Sequence, residues 1–290
     1  MLRLMTWISL RLGRPAARVV LLGISLYFLL FAPAARRASR DYLRRALGRA
    51  PGLGDLFHHF HAFASCIHDR IYLLNDRFDL FDIQVQGADA FEEVLAAGHG
   101  AFLIGAHLGS FEVLRAVGRQ RPGLRVAMVM YEDNARKVNA ALAAINPAAA
   151  REVVALGRLD SMLQVRARLD EGAALGLLGD RTLDQDPTLT LSFLGAQARF
   201  PLGPMRLAAM LQRPVLFMVG LYLGGNCYEV HFEPLADFSA TGRGERDAAV
   251  RQAVCAYAAR LERYCRAAPY NWLNFFDFWQ APADLGQSAP

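Results

Sequence analysis

Ala101-Phe102-Leu103-Ile104-Gly105-Ala106-His107-Leu108-Gly109-Ser110-Phe111-Glu112 joins an apolar run to a histidine and, five positions on, a carboxylate. The run Ala101 to Gly105 reads as a buried strand, and the residues from Phe111 read as the start of a helix. His107 is therefore expected at the carboxyl end of the strand, where open α/β sheets bind their ligands. An imidazole there can take a proton from an attacking hydroxyl if an acceptor holds its other nitrogen, and Glu112 in the first helical turn is the candidate acceptor. Gly109 removes a side chain where a substrate would approach the ring. Ser110 reads as a helix cap rather than a nucleophile. A histidine closing a strand, followed by a glutamate favoured by the helix dipole, meets the same spacing.

Working outward, apolar runs alternate with helical periodicity. Strands are expected over Asp82 to Gln86, Val126 to Tyr131, Val153 to Leu156, Ala174 to Leu178, Val215 to Tyr222 and Tyr228 to Phe232. Helices are expected over Ala90 to Ala97, Phe111 to Arg119, Ala135 to Ala144, Ser161 to Asp170, Met205 to Leu211 and Arg246 to Arg266. The alternation predicts an α/β fold, a mostly parallel sheet flanked by helices. Residues 1–80 read as a membrane-proximal helical region, 81–280 as the α/β domain and 281–290 as a frayed tail.

A second site region is Gly179 to Gly203, which leaves a strand through Asp180 and Arg181 and adds Asp184 and Asp186. The planar fork of Arg181 suits a phosphate or a developing oxyanion, although a surface Asp-Arg pair has the same appearance. Further on, Phe193-Leu194-Gly195 and Phe200-Pro201-Leu202-Gly203-Pro204 alternate apolar and turn residues, as a wall of an acyl groove or as ordinary core.

Near the start, Val19 to Ala35 is uncharged for 17 residues between Arg11, Arg14 and Arg18 on one side and Arg36, Arg37 and Arg40 on the other. Three readings compete: a short spanning anchor, a helix lying in the interface, and a secretory signal with Ala32-Pro33-Ala34 as its cleavage pattern. The preceding Leu2, Leu4, Trp7, Ile8 and Leu10 suit a bilayer surface or simply begin the same helix.

The formal charge is +5 and 54% of residues are hydrophobic, which excludes a disordered chain. Lys137 is the one lysine among 32 basic residues, so the charge argues only weakly for an anionic partner. Cys66, Cys227, Cys255 and Cys265 form no metal or disulfide pattern. His58, His59, His61, Cys66, His68 and Asp69 are interleaved with Phe57, Phe60, Phe63 and Ile67, which suits an amphipathic helix better than a metal site. His99 and His231 read as structural or surface residues. No serine-hydrolase elbow, nucleotide loop, dinucleotide fingerprint or nucleic-acid motif is present.

His107-x4-Glu112 resembles the H-x4-[DE] signature of glycerolipid-type acyltransferases. Tyr27-Phe28-Leu29-Leu30, Tyr42-Leu43-Arg44-Arg45, Phe193-Leu194-Gly195, Phe200-Pro201-Leu202-Gly203 and Pro269-Tyr270-Asn271-Trp272 through Trp279 together resemble the bacterial lipid A late acyltransferases. Asp180 matches that branch, whereas the adjacent Arg181 departs from its better-known members. The resemblance implies a fatty acyl group moved from a thioester of acyl carrier protein or coenzyme A to a hydroxyl of a lipid or glycolipid. His107 and Glu112 would be catalytic, with Gly109, Ser110, Asp180 and Arg181 meeting oxyanion or substrate. It also implies an uncleaved N-terminal helix at the cytoplasmic face of the bacterial inner membrane and no tightly bound cofactor, the thioester being a co-substrate. A thioesterase or lipase, and a catalytically silent lipid-binding protein, are the alternatives.

Overall fold

In the computed structural model, residues 2–120, 125–131, 145–146, 153–156, 159–182 and 186–279 are described. The expected helix Ala135 to Ala144, the tail 281–290 and Asp184 lie outside them, as do the side chains of Leu2, Leu4, Trp7, Ile8 and Leu10.

The chain opens with three helices, α1 (Leu2–Phe31), α2 (Pro33–Leu47) and α3 (Leu53–Leu73). Strands and helices then alternate: β1 (Asp82–Gln86), α4 (Ala88–Ala96), β2 (Ala101–Gly105), α5 (Phe111–Gln120), β3 (Val126–Tyr131), β4 (Val153–Leu156), α6 (Leu159–Asp170) and β5 (Ala174–Leu178). A hairpin of β6 (Thr188–Phe193) and β7 (Ala196–Pro201) precedes α7 (Gly203–Leu211), β8 (Pro214–Gly224), β9 (Cys227–Asp237) and α8 (Arg246–Ala267).

Seven strands form one sheet in the order β1-β9-β8-β2-β5-β3-β4, parallel throughout except for the β8–β9 pair. The alternation of apolar residues sends each strand's side chains to two cores. From β2, Phe102 and Ile104 pack with Leu175, Leu177 and Phe217 against α8 on one face. Ala101 and Leu103 face Val113, Leu114 and Val117 of α5 on the other. Every residue of β2 is buried, as expected for a parallel strand covered on both sides. Tyr42 and Leu43 of α2 and Leu56 and Phe60 of α3 join the first of these cores.

The hairpin β6–β7 is not among the expected strands. Its two-residue turn holds Leu194 at φ 50° and Gly195 at φ 80°, the twist of a primed hairpin turn, without the Asn-Gly or Asp-Gly that usually announces one. Leu194 is buried and donates its N–H to Glu262 of α8 at 2.8 Å, so tertiary contacts hold a conformation that its own type disfavours. Phe193, Phe200 and Leu202 are buried in the core. They are not among the residues lining the large cavity described below and belong to the packing, whereas Gly203 and Pro204 at the end of the same stretch do line it.

Helix α1 breaks at Gly13, where φ is 79° and Pro15 follows. Beyond the break, Gly13–Phe31 is the one helix among the described residues long and apolar enough to cross a membrane. Val19, Val20, Leu26 and Phe31 on it are exposed. The arginines at its start turn toward the domain: Arg14 grips both oxygens of the buried Asp69 at 2.7 and 2.8 Å, and Arg18 donates to Tyr222 and the Gly225 carbonyl.

Candidate active site

The site grows from the register of two adjacent strands. β2 and β5 are parallel with Gly105 opposite Leu178, and the Gly179 N–H donates to the Gly105 carbonyl at 2.9 Å. Tyr257 of α8 donates to the same carbonyl at 2.8 Å, closing the strand end. Two residues beyond that pair, the chains reach His107 and Asp180 together.

Asp180 Oδ1 lies 2.9 Å from His107 Nδ1, and Asp180 Oδ2 accepts the His107 backbone N–H and the Trp272 indole N–H, both at 3.0 Å. Burial raises the Asp180 carboxyl. The charge of His107 and these N–H donors offset that and hold it below the usual carboxylate range. An ionised carboxylate only accepts, so Nδ1 carries a proton, and in the neutral imidazole the lone pair is then on Nε2. His107 is 29% exposed whereas Asp180 is 2% exposed, so the acceptor is sealed while the base remains reachable.

Glu112, the acceptor that motif spacing nominates, lies elsewhere in the network. Its Oε2 takes Arg115 Nη1 at 3.1 Å and its Oε1 faces Arg70 Nε of α3 at 3.4 Å. Helical periodicity explains this: Arg115 is three residues on and shares its face, and α3 packs across it. The carboxylate hydrogen-bonded to the imidazole is thus Asp180, while Glu112 pairs with the two arginines.

The loop between β2 and α5 is held on both sides. Gly109 has φ 71°, and a Cβ there would sit 1.9 Å from the Gly220 carbonyl oxygen. The close approach that requires glycine is thus made by strand β8 rather than by a substrate. The Gly109 N–H donates to the Asn271 carbonyl at 2.8 Å and the Ser110 N–H to Gly220 at 2.7 Å. Both amides are consumed within the protein, which removes them as oxyanion donors. Ser110 is buried immediately before α5.

The C-terminal segment straps this loop. The Leu273 N–H donates to the His107 carbonyl at 2.7 Å. The Asn271 side chain accepts from the Tyr222 N–H at 2.7 Å and donates to its carbonyl at 3.1 Å. Trp272 is fully buried.

His107 opens onto a cavity of about 780 Å³. Met128 and Met130 of β3, Leu156 of β4, Met162 of α6, and Leu207 and Met210 of α7 supply apolar walls; Arg70, Arg181 and Arg206 supply cations. Arg181 is exposed, with its guanidinium 5.4 Å from the centre of the Phe276 ring. Ile67 and Met210 both line the cavity and are exposed, so its mouth carries apolar side chains. Such a space suits a long hydrocarbon chain beside a polar reacting group.

The structure therefore joins His107 to Asp180 and places Gly109, Glu112 and Arg181 on the lining of the same cavity, with Glu112 paired to Arg70 and Arg115 rather than to the imidazole. Asp186 is half-buried. The role of Trp272 at Asp180 was not legible in the sequence, because strand adjacency and a contact across the fold create it. Among the remaining histidines, His59 is fully buried, with Nδ1 2.8 Å from Ser39 Oγ and Nε2 2.8 Å from the Trp272 carbonyl.

A family model described as bacterial lipid A biosynthesis acyltransferase matches residues 67–281, from within α3 through the C-terminal strap. None of the curated proteins searched matches the chain.

Proposed function

The chain belongs to the bacterial lipid A biosynthesis acyltransferase family, and from that premise we propose that His107, oriented by Asp180, is the general base for acyl transfer from a carrier thioester to a lipid hydroxyl. The observation that carries the reading is the His107–Asp180 pair at the edge of the apolar cavity. Nε2 takes the proton of the acceptor hydroxyl as its oxygen attacks the thioester carbonyl. The tetrahedral intermediate collapses, the carbon–sulfur bond breaks, and the imidazolium returns the proton to the departing thiolate. Asp180 stabilises the imidazolium between these events. The acyl group passes directly, with no covalent enzyme intermediate.

Arg181 lines the cavity with His107 and is the candidate for meeting the oxyanion or a phosphate of either substrate. Glu112 holds Arg70 at the wall, a positioning role in place of the orienting one. The exposed apolar face of Gly13–Phe31, with Arg36, Arg37 and Arg40 beyond it, supports attachment to the inner membrane on its cytoplasmic side, where thioesters are made. Both acyl carrier protein and coenzyme A carry the thioester on a phosphopantetheine arm, and the cavity's arginines suit the phosphate at the arm's other end.

The test incubates purified protein with labelled acyl carrier protein or acyl-coenzyme A and a bacterial total lipid extract. A new labelled lipid, lost in His107→Ala, is the expected result and identifies donor and acceptor. Label released only as free fatty acid overturns transfer in favour of hydrolysis. Transfer by His107→Ala near the wild-type rate overturns the base.

A further inference from the structure

Trp272 makes two buried hydrogen bonds, one of them to the reacting pair, and neither is ordinary packing. Its indole N–H donates to Asp180 Oδ2 at 3.0 Å, and its backbone carbonyl accepts from His59 at 2.8 Å. A carbonyl oxygen only accepts, so the His59 proton is on Nε2, and Nδ1 must accept the Ser39 hydroxyl proton. Donation thus runs from Ser39 of α2 through His59 of α3 and Trp272 to Asp180, whose carboxylate also accepts from the imidazole of His107. All four of these residues before His107 are buried, with exposures of at most 2%. The ring of Trp272 is wedged edge-on against Tyr42 at 5.0 Å and Phe278 at 4.8 Å. His59 stacks on Phe275 at 4.5 Å.

The carboxylate of Asp180 would otherwise be free to rotate about its last bond. Its Oδ2 is held by two donors from different parts of the chain, the His107 backbone and the indole, which leaves Oδ1 at Nδ1. We propose that Trp272 is a positioning residue for acyl transfer, its indole N–H locking the Asp180 carboxylate onto His107, and that His59 sets the Trp272 backbone from the N-terminal helices. This deepens the reading of His107 and Asp180 as the reacting pair and rests on it. The N-terminal helices that carry Ser39 and His59 are thereby coupled to the chemistry through hydrogen bonds as well as through the core.

Removing the indole donor leaves the Asp180 anion with one fewer partner, which strengthens its pull on the Nδ1 proton and favours the imidazolium. Trp272→Phe keeps an aromatic ring and loses only the N–H. Its kcat is expected to fall about 10- to 100-fold, the range for losing a hydrogen bond to a charged group, with KM for the thioester little changed. The acidic limb of its kcat/KM profile should move to higher pH.

The accompanying measurement needs no activity. In protein carrying ¹⁵N-labelled tryptophan and histidine, three indole N–H signals are present, from Trp7, Trp272 and Trp279, and Trp272→Phe identifies its own by elimination. The Trp272 signal should shift with the same midpoint as the His107 ring nitrogens. A Trp272 signal that stays flat while His107 titrates overturns the proposal, whatever becomes of the transferase assay. So does a folded Trp272→Phe protein with an unmoved acidic limb. His59→Gln, whose amide can donate to the Trp272 carbonyl and accept from Ser39, should keep the wild-type limb; His59→Leu should shift it as Trp272→Phe does. An unmoved limb in a folded His59→Leu protein overturns the part assigned to His59.

Discussion

At the carboxyl edge of the sheet a buried carboxylate, Asp180, holds an imidazole; at the contact of α3 and α5 another, Glu112, holds two arginines. Both are about 96–98% covered, with exposures of 2% and 4%. Motif spacing favours Glu112 as the partner of His107, yet register places Asp180 there. The difference teaches that a helix carries its first-turn residues around its own axis, whereas adjacent parallel strands deliver residues of matching register to one place. In the proposed reaction Asp180 acts on charge that changes, while Glu112 neutralises charge that does not.

The strongest attempt to break this contrast is Asp180→Asn. Loss of the anion that fixes the tautomer and stabilises the imidazolium should cost about 10³-fold or more in kcat, by analogy with the aspartate of a serine-protease triad. Rate loss under tenfold in a folded protein would equate the two carboxylates. Glu112→Gln is the counterpart: it removes the anion on which Arg70 and Arg115 converge, and breaking a buried ion pair costs about 3–5 kcal/mol of stability. Denaturant unfolding should show that loss while kcat in the surviving folded protein changes less than for Asp180→Asn. The contrast would fail if Glu112→Gln left stability intact and abolished turnover.

A smaller effect sets the buried His59 apart from the half-buried His107. Burial lowers His59 to about 4 from the ordinary histidine value near 6.5, against a weaker upward pull from the Trp272 carbonyl. Below the unfolded value the unfolded chain takes up the proton and the folded protein does not. His59 therefore contributes stability at neutral pH that is lost as pH falls from 6.5 toward 4, by about 3 kcal/mol at most. His59→Gln should flatten that window relative to wild type in unfolding measurements at pH 7, 5.5 and 4.5, and parallel curves would disprove it. The smallest expected effect lies in the cavity walls. Met162→Trp should shift the preferred acyl chain shorter, with roughly tenfold changes in the ratio of kcat/KM between lengths, read in competition with mixed thioesters.

Much of the sheet was legible locally. The runs Asp82 to Gln86, Ala101 to Gly105 and Ala174 to Leu178 coincide with β1, β2 and β5 because each is short, apolar or alternating, and bounded by turn residues. His107, Gly109 and Arg181 lie together on the cavity for the same reason, since strand ends are predictable once strands are. The β6–β7 hairpin escaped because Leu194 occupies a turn position that its type does not advertise. The spacing suggests that the glycine at 109 makes room for a substrate, whereas the atom that requires it is the Gly220 oxygen of a strand more than a hundred residues away.

By itself, then, the sequence determined the alternating α/β order, the apolar N-terminal helix and a histidine at a strand end, all of which follow from side-chain periodicity over a few residues. Only the tertiary structure decided that β2 lies beside β5, that Asp180 rather than Glu112 meets His107, and that Trp272 closes the pair. Those contacts depend on strand order and on a C-terminal strap folding back across the sheet, where the partners are separated by 73 and 92 residues and no local pattern links them.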